Sequence, residues 1–267
     1  MFSTRTSTIE LNNNICVVYD SLTEPYVHII LEHYSDYHNT IFLLTPCYPC
    51  WGAQEELFIT NISKYDKRIF CNFDHLIWDA YCDSLFSWIR REHINEVWEW
   101  QLRYIDRYPE DIKGIVRFRP VRYCSYYNKL IDSTPRTNRY KFAFVGNLNQ
   151  YRIDFMQCGR YSEYKALSGY RLDQLYDEFK DCEGVLNIHG YRGNEQEQLR
   201  IFPLICMNIP VCSERSSINY FPNIVTEIDN IDQIHYLDYS VDEIYRSLTY
   251  SDSSYEEYCD KLIRDNS

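Results

Sequence analysis

The sequence has few glycines, no long apolar run and none of several common catalytic motifs. Its 8 glycines among 267 residues leave little material for glycine-rich phosphate loops. No Walker loop, Gly-x-Ser-x-Gly or His-Glu-x-x-His motif occurs, which excludes several hydrolase and kinase classes. No apolar run reaches membrane-spanning length, and the first ten residues lack the apolar centre of a signal peptide. We therefore expect a cytoplasmic protein without a transmembrane segment.

Basic charge is also scarce, because 27 Lys and Arg residues face 39 Asp and Glu residues, giving a net charge of -12. Nonspecific binding to nucleic acid needs basic surface that displaces counterions, so nucleic acid is not an expected partner. The 11 cysteines are an odd number, and in a reducing compartment they are expected to be free, mostly buried thiols. The 26 tyrosines and only 8 glycines indicate a bulky, sheet-rich interior.

Strand-like and helical patterns alternate along most of the chain, which predicts parallel β-sheet with helices on both faces. In the first half we predict strands over residues 15–19, 41–44, 68–73, 97–100 and 115–118, and helices over 24–37 and 78–91. Residues 119–140 form a polar, proline-containing stretch that we interpret as an interdomain linker. In the second half we predict strands over 141–145, 185–188 and 210–213 and near Val225 and His235, with helices over 150–157, 171–182 and 241–263.

The most informative segment spans residues 184–214 and reads as a strand, a polar turn, an amphipathic helix and a second strand. Such a junction at the end of a parallel strand commonly binds anions. The turn carries His189 and Tyr191, and the helix carries Glu197 and Arg200, which lie three residues apart and therefore on one helical face. A planar, permanently charged guanidinium suits a diphosphate, and a carboxylate suits sugar hydroxyls. The alternative is an intrahelical salt bridge on a solvated face.

A second candidate loop follows the strand predicted over residues 141–145. Gly146 and Asn147 come directly after this strand, and Arg152 lies in the first turn of the next predicted helix. A glycine at this point lets the backbone approach a ligand closely. The alternative is a plain tight turn between strand and helix.

The segment resembles the donor-binding half of GT-B nucleotide-sugar glycosyltransferases, and most closely those of viral and capsular type. The two-glutamate motif of many retaining members is broken at Pro203, and the resemblance lies instead in a pattern of strand, Glu-x-x-Arg-Ile-x-Pro-Leu helix and Pro-Val-x-Ser-Glu strand. The matching positions are Leu186, Asn187, Ile188, His189, Glu197, Arg200, Ile201, Pro203, Leu204, Pro210, Val211, Ser213 and Glu214. The chain also lacks the Asp-x-Asp pair that usually holds a metal-bound donor in the GT-A class.

This resemblance implies an α/β protein with a GT-B-like fold, in which two Rossmann-like domains face each other across a cleft. It implies a reduced N-terminal acceptor-side domain over residues 1–130, a nucleotide-sugar-binding domain over 131–240 and a helical tail over 241–267 that packs back on the first domain. The implied function is metal-independent transfer of a hexosyl or pentosyl group from a nucleotide-diphosphate sugar to a hydroxyl of a glycan acceptor. No cofactor is implied, and a viral source would place the protein in the host cytoplasm.

The same resemblance assigns roles to particular residues. The expected donor-binding residues are Gly146, Asn147, Arg152, His189, Tyr191, Glu197, Arg200 and Glu214. In the first half, residues 70–78 resemble a family phrase in which a strand ends in Asn-x-Glu, with Asp74 in the acidic position. Asp74 or His75 is therefore a candidate catalytic base for the acceptor hydroxyl. The alternatives are a helix N-cap for Asp74 and a buried, hydrogen-bonded histidine for His75.

Two other functions fit parts of the sequence. The first is a non-catalytic module of the same fold that binds a nucleotide or a glycan. The second is a thiol oxidoreductase, because Cys47 and Cys50 form a Cys-x-x-Cys pair after a predicted strand. No second Cys-x-x-Cys pair completes a zinc site, so no structural metal is expected.

Overall fold

The chain folds into two compact units, each built on its own β-sheet. The computed structural model describes residues 7–19, 23–44, 62–73, 76, 79–127, 137–146, 148–156, 164–167, 178–190, 195–237, 243 and 252–266. The first unit comprises Met1–Pro120 and Glu256–Asp265, and the second comprises Val121–Tyr255. The predicted mixed α/β class is confirmed. The predicted boundary between residues 130 and 131 falls outside the described residues.

The first unit contains a six-stranded sheet whose strands follow each other in chain order. Its strands are β1 (Ser7–Leu11), β2 (Ile15–Tyr19), β3 (Thr40–Leu44), β4 (Lys67–Asn72), β5 (Glu96–Glu99) and β6 (Val116–Phe118). Its helices are α1 (Glu24–His33), α2 (Asp79–Arg91) and α3 (Glu110–Lys113), with short 3₁₀ turns at Asn12–Asn14 and Leu102–Arg107. Strand β1 pairs antiparallel with β2, and the other neighbours pair in parallel.

The inner strands of the first sheet, β2 to β5, are largely buried on both faces, as continuous apolar strands predict. In the ladder Leu43 lies opposite Phe70 and Phe70 opposite Val97, and on this face α2 packs Leu85 into the same core. On the other face Trp98 packs against Phe42 at a ring-centroid distance of 5.4 Å. The helical tail contributes to this unit through α6 (Asp252–Asn266), whose Glu256 forms a 2.6 Å ion pair with Arg119.

The second unit contains a five-stranded, fully parallel sheet. Its strands are β7 (Phe142–Val145), β8 (Tyr164–Leu167), β9 (Val185–Asn187), β10 (Val211–Glu214) and β11 (Thr226–Ile228), and the described helices are α4 (Gln150–Met156) and α5 (Gln198–Cys206). The spatial order is β11-β10-β9-β7-β8. The chain therefore moves from β7 to β8 on one side, and then returns to the other side of β7 to form β9, β10 and β11.

Close packing at the start of β9 explains a glycine of the informative segment. A side chain at Gly184 would place its Cβ 2.6 Å from the carbonyl oxygen of Pro210, the residue before β10. Only a residue without a Cβ allows this approach of the two strand starts. Gly184 is therefore a packing requirement of the sheet, whereas Gly146 has a different environment, described below.

Several sequence predictions need correction. The strand predicted near His235 is wrong, because residues 234–237 carry no strand and the preceding residues Ile231–Gln233 form a 3₁₀ turn. Helix α1 ends at His33, four residues before the predicted end, and β1 and β8 were not predicted. The helix predicted over 171–182 lies mostly outside the described residues. Tail helix α6 begins at Asp252, and most of residues 241–251 lie outside them as well.

The cysteine prediction is confirmed where the structure describes these residues. Eight cysteines are buried thiols outside any disulfide, namely Cys16, Cys71, Cys82, Cys124, Cys182, Cys206, Cys212 and Cys259. In the described part of the chain, no helix combines the length and the apolar character required to cross a membrane.

Candidate functional site

The candidate site lies in the second unit, where the strand order reverses. Neighbouring strands β7 and β9 are parallel, but the chain leaves β7 toward β8 and leaves β9 toward β10 on the opposite side. At such a reversal the loops after the two strands separate, and ligands of open α/β sheets bind in the resulting crevice. The loops here are those that contain Gly146 and His189. Except for Glu214, which ends β10, the sequence-predicted donor residues therefore follow the two strands that border this crevice.

Gly146 ends β7 in a backbone conformation with φ +136°, which side-chain-bearing residues rarely adopt. A Cβ at this position would lie 3.5 Å from Nη1 of Arg152 and 3.7 Å from Nη2 of Arg200. Two guanidinium groups from different helices thus face the same point of the backbone. A glycine here keeps the space in front of both cations open.

Arg152 and Arg200 share the same protein partners, and we refer to them as the arginine pair. The carbonyl oxygen of Ile188, just after β9, accepts from Nε of Arg152 at 3.1 Å and from Nη1 of Arg200 at 3.4 Å. The carboxylate of Glu197 lies 3.7 Å from Nη2 of Arg152 through Oε1, and its Oε2 forms an ion pair with Nη1 of Arg200. Asn187 also accepts from Arg200 at 3.3 Å. These contacts hold both cations beside the end of β9.

The ion pair between Glu197 and Arg200 exists, but it does not lie on a solvated helix face. The side chain of Glu197 is 7% exposed, and that of Arg200 is 28% exposed. Glu197 also precedes the first residue of α5, with non-helical backbone angles. The pair is therefore part of a buried charge cluster in which one carboxylate bridges two guanidinium groups. A buried cluster of this kind carries one net positive charge, from Arg152, Arg200 and Glu197.

His189 is fully buried two residues after β9, and its contacts favour one tautomer of the ring. The Ser216 hydroxyl donates to the carbonyl oxygen of Glu214 at 3.3 Å, and it therefore accepts from Nε2–H of His189 at 3.0 Å. Nδ1 is then an acceptor, and it has no hydrogen-bond partner among the described residues. Burial lowers the pKa of His189, against the effect of nearby Glu197 and with the help of Arg200 and Arg152. The ring is thus a neutral acceptor beside the arginine pair.

Glu214 ends β10 and connects the arginine pair to a neighbouring cavity. Its Oε2 accepts from the backbone N–H of His189 at 3.0 Å, and its Oε1 accepts from the hydroxyl of Tyr151. Burial raises the pKa of this carboxyl to about 7, and the hydrogen bond from His189 opposes that effect. Glu214 therefore titrates close to neutral pH.

Sequence reasoning missed several residues that build this site. Asn149 accepts from the backbone N–H of Arg152 at 2.9 Å and donates to the carbonyl oxygen of Gly190 at 2.8 Å, joining the loops after β7 and β9. Tyr151 and Ser216 hold Glu214 and His189. An Asn three residues before a helical Arg is a recognisable capping signal, but nothing local to Ser216 indicates its partner.

The first unit carries a separate buried polar cluster at the carboxyl ends of β4 and β5. Glu99 is 1% exposed and accepts from Nδ2 of Asn72 at 2.7 Å, from the hydroxyl of Tyr108 at 2.9 Å and from the backbone N–H of Gln101 at 3.0 Å. The pKa of Tyr108 is raised well above its ordinary value, mainly by burial and secondly by the charge of Glu99. Glu99 was not predicted as a polar anchor from the sequence.

Other predicted residues lie outside the described residues. These are the candidate bases Asp74 and His75, the donor-site residues Asn147 and Tyr191, and the thiol pair Cys47 and Cys50. Of the predicted donor-binding set, the structure brings together Gly146, Arg152, His189, Glu197, Arg200 and Glu214. Among the described residues, no group of three or more His, Cys, Asp and Glu side chains is arranged to hold a metal ion.

Comparison with known proteins assigns no family: no protein family matches the sequence, and no curated protein matches it significantly.

Proposed function

We propose that the protein transfers a sugar from a nucleotide-diphosphate sugar to a hydroxyl of a glycan acceptor. The observation that carries the proposal is the arginine pair, which faces Gly146 at the strand-order reversal of the second sheet. Arg152 and Arg200 are permanently charged, and their planar forks fit phosphate oxygens. A crevice that offers two such groups and an open glycine suits a diphosphate better than a neutral ligand.

The arginine pair suits this chemistry because sugar transfer leaves negative charge on the departing nucleoside diphosphate. Fixed cations that meet this charge in the transition state lower the barrier without rearranging during the reaction. Arg152 is fixed by burial and by the carbonyl oxygens of Ile188 and His189, at 3.1 and 3.3 Å. The proposed mechanism therefore needs no obligatory metal. In it, the leaving diphosphate is stabilised by side chains of this unit alone.

The neighbouring acceptors suit hydroxyl groups of the donor. Glu197 offers a carboxyl group just before α5, Glu214 offers one at the end of β10, and Nδ1 of His189 is a further acceptor. We assign Glu197 and Glu214 to ribose or sugar hydroxyls, and His189 to the wall of the donor site. Tyr191 and Asn147 complete the proposed set, on the strength of the family resemblance.

The proposal also covers the domain arrangement. We propose a GT-B arrangement of two Rossmann-like domains, in which the first unit provides the acceptor side and the catalytic base. Asp74 or His75 would take the proton of the acceptor hydroxyl as the new glycosidic bond forms. The support is the family resemblance of residues 70–78, the first three of which are the last residues of β4.

The experiment measures release of nucleoside diphosphate from a panel of UDP-, GDP-, dTDP- and ADP-sugars, together with binding of each diphosphate by thermal shift. The variant is Arg200→Gln, and the matched control is Arg264→Gln on the exposed side of α6. Losing a charge-assisted hydrogen bond of about 1.5–3 kcal/mol should lower kcat/KM about tenfold or more in Arg200→Gln only.

Two outcomes separate the functions considered above. Diphosphate binding without turnover of any sugar, with a range of glycan acceptors supplied, identifies a non-catalytic binding module. If no nucleotide raises the melting temperature of the protein, the arginine pair is not a diphosphate site, and the proposal fails.

A further inference from the structure

A cavity of about 580 Å³ opens beside the arginine pair, entirely within the second unit. We refer to it as the Glu214 cavity. Its described lining consists of residues of α4, the loop after β10 and the end of β11, namely Tyr151, Asp154, Phe155, Glu214, Arg215, Ser216, Ser217, Ile228 and Asp229. Its volume lies within the range of about 300–1,000 Å³ that small-molecule sites typically show. Arg152 and Arg200 are not part of this lining.

His189 and Tyr151 connect the Glu214 cavity to the arginine pair. His189 donates its backbone N–H to Glu214 in the cavity wall at 3.0 Å, and its carbonyl oxygen accepts from Nε of Arg152 at 3.3 Å. Tyr151, which donates to the same Glu214, directly precedes Arg152 in α4. A ligand whose diphosphate contacts the arginine pair therefore has the Glu214 cavity next to it. The part of a nucleotide sugar adjoining the diphosphate on one side is the nucleoside.

The walls of the Glu214 cavity include aromatic side chains on which a nucleobase could stack. Tyr151 and Phe155 are half-buried aromatic residues one helical turn apart in α4, and Ile228 lies at the end of β11. Aromatic rings stack on nucleobases, whichever base is present. Phe155 also packs against the core of the second unit, which fixes its position.

The polar part of the lining favours hydrogen-bond donors on the ligand. Among the described lining residues, carboxyl groups are contributed by Asp154, Glu214 and Asp229, while the positive charge comes from Arg215. Asp229 neutralises this arginine through bonds of 2.7 and 3.1 Å to Nε and Nη2. The remaining polar lining consists of the carboxyl groups of Asp154 and Glu214 and of hydroxyl groups; ionised carboxylates repel phosphate and accept from N–H groups.

Nucleobases differ in this respect. Guanine, adenine and cytosine each carry an exocyclic amino group that donates hydrogen bonds, whereas thymine carries two carbonyl oxygens and no amino group. Uracil has the same two carbonyl oxygens, and in both bases the single N–H donor of the ring edge lies between them, where an acceptor wall also meets the carbonyl oxygens. An acceptor-rich wall therefore discriminates in favour of the amino-bearing bases.

We propose that the Glu214 cavity holds the base of the donor nucleotide and selects guanine, adenine or cytosine over uracil and thymine. This inference rests on the proposed donor function of the arginine pair. It specifies the class of nucleotide, which the sequence left open. Asp154 is the wall residue best placed to test it, because it is exposed on α4 and accepts from Gln150 without joining the hydrogen bonds of Glu214.

The experiment measures dissociation constants of GDP, ADP, CDP, UDP and dTDP for the full chain by calorimetry. At least one amino-bearing diphosphate should bind about tenfold or more tightly than both UDP and dTDP. Phe155→Leu should weaken every nucleotide that binds by about tenfold, because stacking does not depend on the base. Asp154→Asn should reduce the preference for the amino-bearing bases, and Asp260→Asn on α6 is its matched exposed control.

The outcomes distinguish this inference from the proposed function. If UDP or dTDP binds as tightly as the best amino-bearing diphosphate, the base selection is wrong and the diphosphate site stands. If Phe155→Leu leaves all affinities unchanged while Arg200→Gln lowers them, the base lies elsewhere and the cavity assignment is overturned. If no diphosphate binds, the proposed function and this inference both fail.

Discussion

Replacing Glu214 by glutamine should change how the stability of the protein depends on pH. Burial raises the pKa of this carboxyl from an ordinary value of 4.5 to about 7. Between these values the folded protein binds a proton more strongly than the unfolded chain does, so the free energy of unfolding falls as pH rises. Glutamine has nearly the same shape and no titration. In Glu214→Gln the contribution of this group to the pH dependence should therefore disappear.

The size of the effect follows from the same pKa change. At 1.36 kcal/mol per pKa unit, a rise from 4.5 to about 7 corresponds to roughly 3 kcal/mol. The open cavity beside Glu214 lets solvent screen the charge, and we expect about half of this value, about 1.5 kcal/mol. Parent and variant should thus diverge progressively between about pH 5 and pH 8, with the variant relatively more stable at the upper end.

The assay is urea unfolding followed by circular dichroism at several pH values across this window. The control is Glu257→Gln, which changes an exposed carboxylate of α6 and should leave the pH dependence of the parent intact. Parallel pH profiles for the parent and Glu214→Gln would refute the argument, because they would show that burial does not hold the proton on this carboxyl.

Three further variants test other features by urea unfolding. Gly146→Ala should lower stability by about 1–3 kcal/mol, because φ +136° strains any residue with a Cβ; an unchanged midpoint would contradict the geometry of the loop. Arg152→Met should cost about 1–3 kcal/mol, because the carbonyl oxygen of His189 loses a buried donor while Glu197 keeps its ion pair with Arg200; full stability of the variant would show that this donor is not needed. Tyr108→Phe should cost about 1–3 kcal/mol by removing a donor to Glu99, and a neutral result would mean that water replaces it.

Strands of the two sheets could be predicted where burial on both faces makes the sequence continuously apolar. Residues 15–19 were predicted as a strand, and β2 has the same bounds. Strand β1 was missed because it is an edge strand with largely exposed residues, and its conformation depends on antiparallel pairing with β2. Near His235 the apolar residues suggested a strand. In the structure Ile231 and Ile234 instead pack from a 3₁₀ turn whose start is capped by Asn230.

Part of the candidate site could be predicted as residues that would lie together, but its geometry could not. The spacing of Glu197 and Arg200 placed them together, and Gly146 and Arg152 followed from the strand–turn–helix pattern. That one carboxylate bridges both guanidinium groups could not be predicted, because it depends on β7 and β9 being neighbours. Such pairing between distant parts of the chain leaves no local pattern. The hydroxyl of Ser216 and the Glu214 cavity arise in the same way.

The membership of Glu256–Asp265 in the first unit has a consequence for biosynthesis. Strands β1 to β6 pair with their neighbours in chain order, so this sheet assembles through short loop closures and can form early. Its last helical segment, however, is synthesised only after the whole of Val121–Tyr255. The first unit therefore begins to fold first and is completed last, and a nascent chain arrested before residue 256 should expose the surface that this helix covers.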